Sequence, residues 1–183
     1  MKGTRKAVVL RSALCLFCLG TMGLFAATSA DAQVISYAAK FVCGPAVSDA
    51  DVVRGLYSTA VNIHNPLLKE AVQFTKTAVI AFPERKKERG PISPKVTETL
   101  KPNEAMYVDC TDIRLLFGTG VELPRHIEGF LVIETPALDI SSDPLDVVAK
   151  YTARHRMGTV TTDPNIYDVE SIDIEKITPK KVQ

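Results

Sequence analysis

Tyr37-Ala38-Ala39-Lys40-Phe41-Val42-Cys43 decides the fold class. Tyr37, Ala39, Phe41 and Cys43 fall on one side of a period-two pattern, which marks a half-buried strand and not a helix. The same count repeats along the chain. Tyr57, Thr59, Val61 and Ile63 oppose Ser58, Ala60 and Asn62. Val72, Phe74, Ala78, Ile80 and Phe82 oppose Gln73, Thr75 and Thr77, with Lys76 the one break on the inward side. Met106, Val108 and Cys110 oppose Tyr107 and Asp109.

Later segments are less regular. Gly129–Thr135 is a continuous apolar run, as in a strand covered on both faces. Leu145–Thr152 sets Leu145, Val147, Ala149 and Tyr151 on one face and reads as a strand, although Asp143-Pro144 before it is also helix-start chemistry. Ile172 and Ile174 alternate with polar neighbours in a last strand, Asp112–Phe117 fits one helical turn, and 178–183 reads as a flexible tail. Asn65-Pro66, Pro83 to Pro94, Lys101-Pro102-Asn103, Gly118–Pro124 and Pro136–Pro144 supply turn chemistry between the runs. Seven or eight strands with short connections imply an all-β fold, an antiparallel two-sheet sandwich of immunoglobulin-like type, with a barrel as the alternative.

The N-terminus is an address. Lys2, Arg5, Lys6 and Arg11 precede an uncharged run from Ser12 to Ala27, and Ala30-Asp31-Ala32 offers small residues for a cut after Ala32. That is the pattern of a Sec-type signal peptide over 1–32, too short in its apolar part to span a bilayer. It leaves one β domain over 33–177, in the periplasm or outside the cell, with no transmembrane segment. Of four cysteines, Cys15 and Cys18 leave with the leader. Cys43 and Cys110 remain, both on apolar faces, and in an oxidising compartment they pair. Closing so long a loop is worth roughly 4 kcal/mol in the chain-entropy account.

Four blocks, Tyr37–Gly44, Gly55–Pro66, Leu145–Thr152 and Ser171–Glu175, are similar to blocks of a family of small secreted, functionally uncharacterised bacterial proteins. The resemblance implies a β-sandwich and an envelope or secreted location. It brings no activity and no site residues with it.

Residues 33–183 carry 18 basic and 20 acidic side chains, so the domain has no electrostatic footprint for nucleic acid. No GxSxG, HExxH or HxH spacing is present, and neither a cofactor nor a metal site is expected. Two groups stand out as binding candidates. Arg85, Lys86, Lys87 and Arg89 crowd a hairpin tip between a strand and Pro91 and suit an acidic protein, an anionic glycan or lipid headgroups. Asn62, His64 and Asn65 gather at a strand end, where a turn role for Asn65-Pro66 competes with ligand reading. The function expected is an exported, non-enzymatic binding module of the bacterial envelope that works through its end loops, with homo-oligomers also compatible. The alternative is a small secreted hydrolase or metal-dependent enzyme in which His64 meets Asp109 and Asp112. Asp139, Asp143 and Asp146 form a further acidic loop set, read as solvated acids beside an Asp-Pro turn with calcium as the rival.

Overall fold

A computed structural model describes residues 33–47, 52–137, 143–156 and 167–182. The expected signal peptide over 1–32, Asp139 and Gln183 lie outside them.

Nine strands are described: β1 Val34–Ala46, β2 Gly55–His64, β3 Val72–Ile80, β4 Val96–Leu100, β5 Ala105–Asp109, β6 Ile127–Pro136, β7 Asp146–Arg156, β8 Tyr167–Lys176 and β9 Lys180–Val182. One six-residue helix, α1 (Cys110–Leu115), follows β5. All pairings are antiparallel. The ladders join in the order β4-β3-β6-β1-β2-β7-β8, with β5 also beside β2 and β9 beside β1. The all-β class and the Cys43–Cys110 bridge therefore stand. The hydrogen bonding links every strand into one sheet, through the short pairing of Gly44–Ala46 with Gly55–Tyr57.

β1 makes that connection because Gly44 lets it turn. Val34 to Cys43 pair with β6, and from Gly44 onward the strand pairs with β2. Gly44 has φ 95°, and a Cβ there would lie 2.0 Å from the Arg125 carbonyl oxygen. Only glycine accepts both conditions. Next to it, β2 passes from one neighbour to another: Gly55–Tyr57 pair with β1 and Ala60–His64 with β5. Thr59 fills the interval. Its Oγ1 accepts from the Val42 amide at 2.9 Å and donates to the Val42 carbonyl at 3.0 Å, and its own amide donates to Cys110 Sγ at 3.3 Å. A side chain here replaces the missing rungs of a ladder. Cys43 and Cys110 close the same corner, with Cα atoms 5.6 Å apart.

The inward residues follow the period-two count. Tyr37, Ala39, Phe41, Cys43, Val61, Ile63, Phe74, Ala78, Leu131, Ile133, Val147 and Ala149 all belong to one buried core. Fully burying each larger apolar side chain contributes about 1.5–3 kcal/mol. Lys76, the one break in β3, is also buried, and its Nζ meets Glu98 Oε1 of β4 at 2.9 Å.

The strand read over 145–152 is there, as β7 from Asp146 onward. Two expectations change. Val96–Leu100, read as part of no strand, forms β4. The tail over 178–183 is not free along its length, because Lys180–Val182 pair with Val34–Ser36. Lysines suit such an edge strand, since their charge discourages pairing with a further chain.

Candidate functional site

The β3–β4 connection carries the basic run. Glu84–Lys86 form a single 3-10 turn, and Lys87 adopts φ 55° to end it. Glu84 through Arg89 are exposed. The base of the loop is held firmly. The Ile80 amide donates to the Pro91 carbonyl, the Ser93 amide to the Ala78 carbonyl, and the Ala78 amide to Ser93 Oγ. Gly90 passes so close to β3 that a Cβ would lie 2.0 Å from the Ile80 carbonyl oxygen. Lys86 Nζ sits 3.8 Å from the centre of the Phe82 ring, a cation–π contact. Arg85, Lys86, Lys87 and Arg89 are thus displayed on an anchored loop. Beside them runs an open groove of about 920 Å³ that Lys87 and Arg89 line together with Val79, Phe82 and Ile92.

The second group divides. Asn62 is exposed on the outer face of β2, opposite Tyr107 of β5 and Val148 of β7. His64 lies two residues on, with Nε2 3.2 Å from Asn103 Oδ1 and Nδ1 3.8 Å from Asp146 Oδ2. Asp146 in turn accepts from Lys176 Nζ at 3.0 Å. That hydrogen bond holds the Asp146 carboxyl below its usual range, outweighing partial burial, with the Lys176 and His64 charges assisting.

Asn65 must be withdrawn as a ligand-reading residue. It is fully buried, and its amide nitrogen faces the carbonyls of Glu70, Leu100 and Lys101 at 2.8–3.1 Å. Its Oδ1 accepts from the Leu67 amide at 3.0 Å, and its backbone bonds Glu104 and Asn103. Every polar atom of the residue is already used in tying two loops together.

The acid–base constellation does not assemble. Asp109 caps α1: its Oδ1 accepts from the Thr111 and Asp112 amides, and Asp112 Oδ2 in turn accepts from the Asp109 amide. This is a capping box, which satisfies helix-end donors. Asp109 pairs with Ala60, four residues along β2 from His64. At 3.3 Å per residue that is roughly 13 Å, well beyond hydrogen-bond reach. His126 stacks edge-on against Tyr57, with ring centres 5.9 Å apart. Among the described residues, no group of three or more His, Cys, Asp or Glu side chains is placed to hold a metal ion. Among them, too, no helix is long and apolar enough to cross a membrane.

Several residues that sequence reading passed over carry the polar structure. Tyr37, counted as apolar, donates its hydroxyl to Asp143 Oδ1 at 2.7 Å and accepts from the Leu145 amide at 3.2 Å. Burial, then the Asp143 hydrogen bond, push its ionisation far above the usual tyrosine range. Tyr151 is pushed up to about 12, by burial first and the Glu175 carboxylate second.

Set beside known proteins, the chain matches no protein-family model, no curated protein and no solved structure.

Proposed function

We propose that this protein is an exported binding module of the bacterial envelope, an immunoglobulin-like β-sandwich that engages an anionic macromolecule through its β3–β4 loop. One observation carries the reading. Four cationic side chains lie within five residues, exposed, on a loop whose base is fastened to β3 at Ile80 and Ala78. A rigid scaffold that presents an exposed loop with clustered charge is a common basis for recognition. Arginine and lysine in such a cluster supply donors to carboxylate, sulfate or phosphate groups. The signal-peptide pattern of residues 1–32 and the block resemblance to secreted bacterial proteins support the location.

The test has two parts. Protein recovered from its native host is expected to begin at Gln33, and an N-terminus retaining Met1 would count against export. Binding of the 33–183 protein to a sulfated polysaccharide matrix and to vesicles rich in anionic lipid is expected to fall with added salt. It is expected to vanish when Arg85, Lys86, Lys87 and Arg89 are all changed to glutamate. Equal retention of the wild type and this variant would remove the loop as the binding surface.

A further inference from the structure

Among the described residues, part of the β1 edge has no strand paired to it, and a hollow lies beside that part. Backbone groups of alternate residues in a strand point to opposite edges. The Ala137 amide donates to the Gln33 carbonyl, so odd-numbered residues of β1 turn towards β6. Even-numbered residues turn the other way. Val34 and Ser36 lie where β9 pairs, and the Val42 amide and carbonyl are both taken by Thr59 Oγ1. Between them, Ala38 and Lys40 present two N–H and two C=O groups to an edge that no strand pairs among the described residues. Native sheets usually cover such an edge.

The adjoining hollow is about 290 Å³, just below the usual range for small-molecule sites and room enough for one side chain. Lys40 and Val42 of β1, Tyr57 of β2, Tyr151 of β7, and Asp173 and Glu175 of β8 contribute to its lining. Tyr151 and Asp173 are register partners, and the Tyr151 hydroxyl lies 3.3 Å from Glu175 Oε2. The two carboxylates are exposed at the rim, while the Lys40 ammonium lies 3.9 Å from Glu128 of β6. The site therefore combines backbone groups that match a peptide, aromatic surface, and an excess of negative charge.

We propose that this notch binds an extended peptide segment bearing a lysine or arginine side chain. The peptide backbone pairs with Ala38 and Lys40, as in strand addition to an open sheet edge. About three extended residues span the gap. The long aliphatic stem of the basic side chain lies along Tyr57 and Tyr151, and its cation meets Asp173 and Glu175. None of these residues belongs to the β3–β4 loop, so the site goes beyond the binding surface proposed above and is tested separately from it.

The experiment titrates the blocked pentapeptide acetyl-Ala-Val-Lys-Val-Ala-amide into isotope-labelled protein and follows the backbone amides by NMR. Saturable shifts at Ala38, Lys40 and Tyr151 are expected. Replacing the peptide lysine by norleucine should weaken binding at least about tenfold, a loss of about 1.4 kcal/mol. N-methylation of the peptide backbone at the central residue should abolish saturation. The double variant Asp173→Asn, Glu175→Gln should bind the lysine and norleucine peptides alike while its thermal midpoint is kept. Reversing the β3–β4 loop charges should leave peptide affinity unchanged. Unmoved Ala38 and Lys40 resonances, or equal affinity of the wild type for the two peptides, would overturn the proposal. So would shifts at Ala38 and Lys40 that depend on protein concentration alone, because the edge would then belong to a second copy of this chain.

Discussion

The corner around Thr59 and the loop from Glu84 to Gly90 use polar residues to opposite ends. At the corner, Thr59 and the Cys43–Cys110 bridge serve backbone groups that no strand reaches, and little solvent enters. In the loop, six charged residues in succession face water, and the structural work falls to Ser93, Gly90 and backbone bonds at the base. Asn65 belongs with the corner in this respect, since it closes a junction between loops by saturating its own amide. The lesson is that polarity alone does not mark a site. A polar residue with all its partners inside the protein has nothing left for a ligand, whereas the basic run lies exposed to solvent along its length.

This contrast predicts a steep gradient in mutational cost. The largest effect is expected for Cys43→Ser, a loss of about 2–5 kcal/mol in urea unfolding. An unchanged midpoint would show that the corner holds without its bridge. Asn65→Ala is expected to cost about 3 kcal/mol, because it strands buried carbonyls at Leu100 and its neighbours. Thr59→Val keeps the shape and removes the oxygen, and about 2 kcal/mol should be lost with both Val42 groups unpaired; a neutral result would mean that water replaces the hydroxyl.

Tyr37→Phe tests the polar structure by pH. The folded-state ionisation of Tyr37 is raised above the unfolded value of 10.0. The native state therefore keeps a proton that the unfolded chain gives up, so this stabilisation is whole below about pH 10 and is lost as pH rises further. The phenylalanine variant should lose about 1 kcal/mol at neutral pH and show a shallower alkaline decline, measured by unfolding at pH 8 to 11. The smallest effect belongs to the loop. Reversing Arg85, Lys86, Lys87 and Arg89 should change stability by no more than about 0.5 kcal/mol, and a large loss would place the loop with the corner.

Where inward residues alternate cleanly, as in β1, β2 and β7, the strands were legible from the chain alone, and so was the disulfide, because both cysteines lay on apolar faces. β4 was hidden for a specific reason. Val96–Leu100 carries Glu98 on its inward side, which breaks the apolar alternation there; Lys76 breaks it in β3, and the two meet across the strands. β9 was hidden because Lys180 and Lys181 resemble a solvated tail, though charge is also how an edge strand is protected. The exposed basic run was legible as such. The burial of Asn65 was not, since an Asn-Pro turn uses the same hydrogen bonds at the surface and in the interior. The notch beside Ala38 and Lys40 depends on where β9 stops and Thr59 begins, which no periodicity records.

The pairing of β9 with the start of β1 has one further consequence. Val34 and Val182 are register partners, so the first and last strands of the described domain run side by side. Neighbouring strands lie about 4.8 Å apart, and a linker of a few residues would join them without crossing any other part of the sheet. Cutting the chain instead between Lys86 and Arg89, away from every ladder, would then yield a circular permutant with all nine strands intact. The order of the strands along the chain is therefore separable from their order in the sheet, and the termini need not be where the chain now has them.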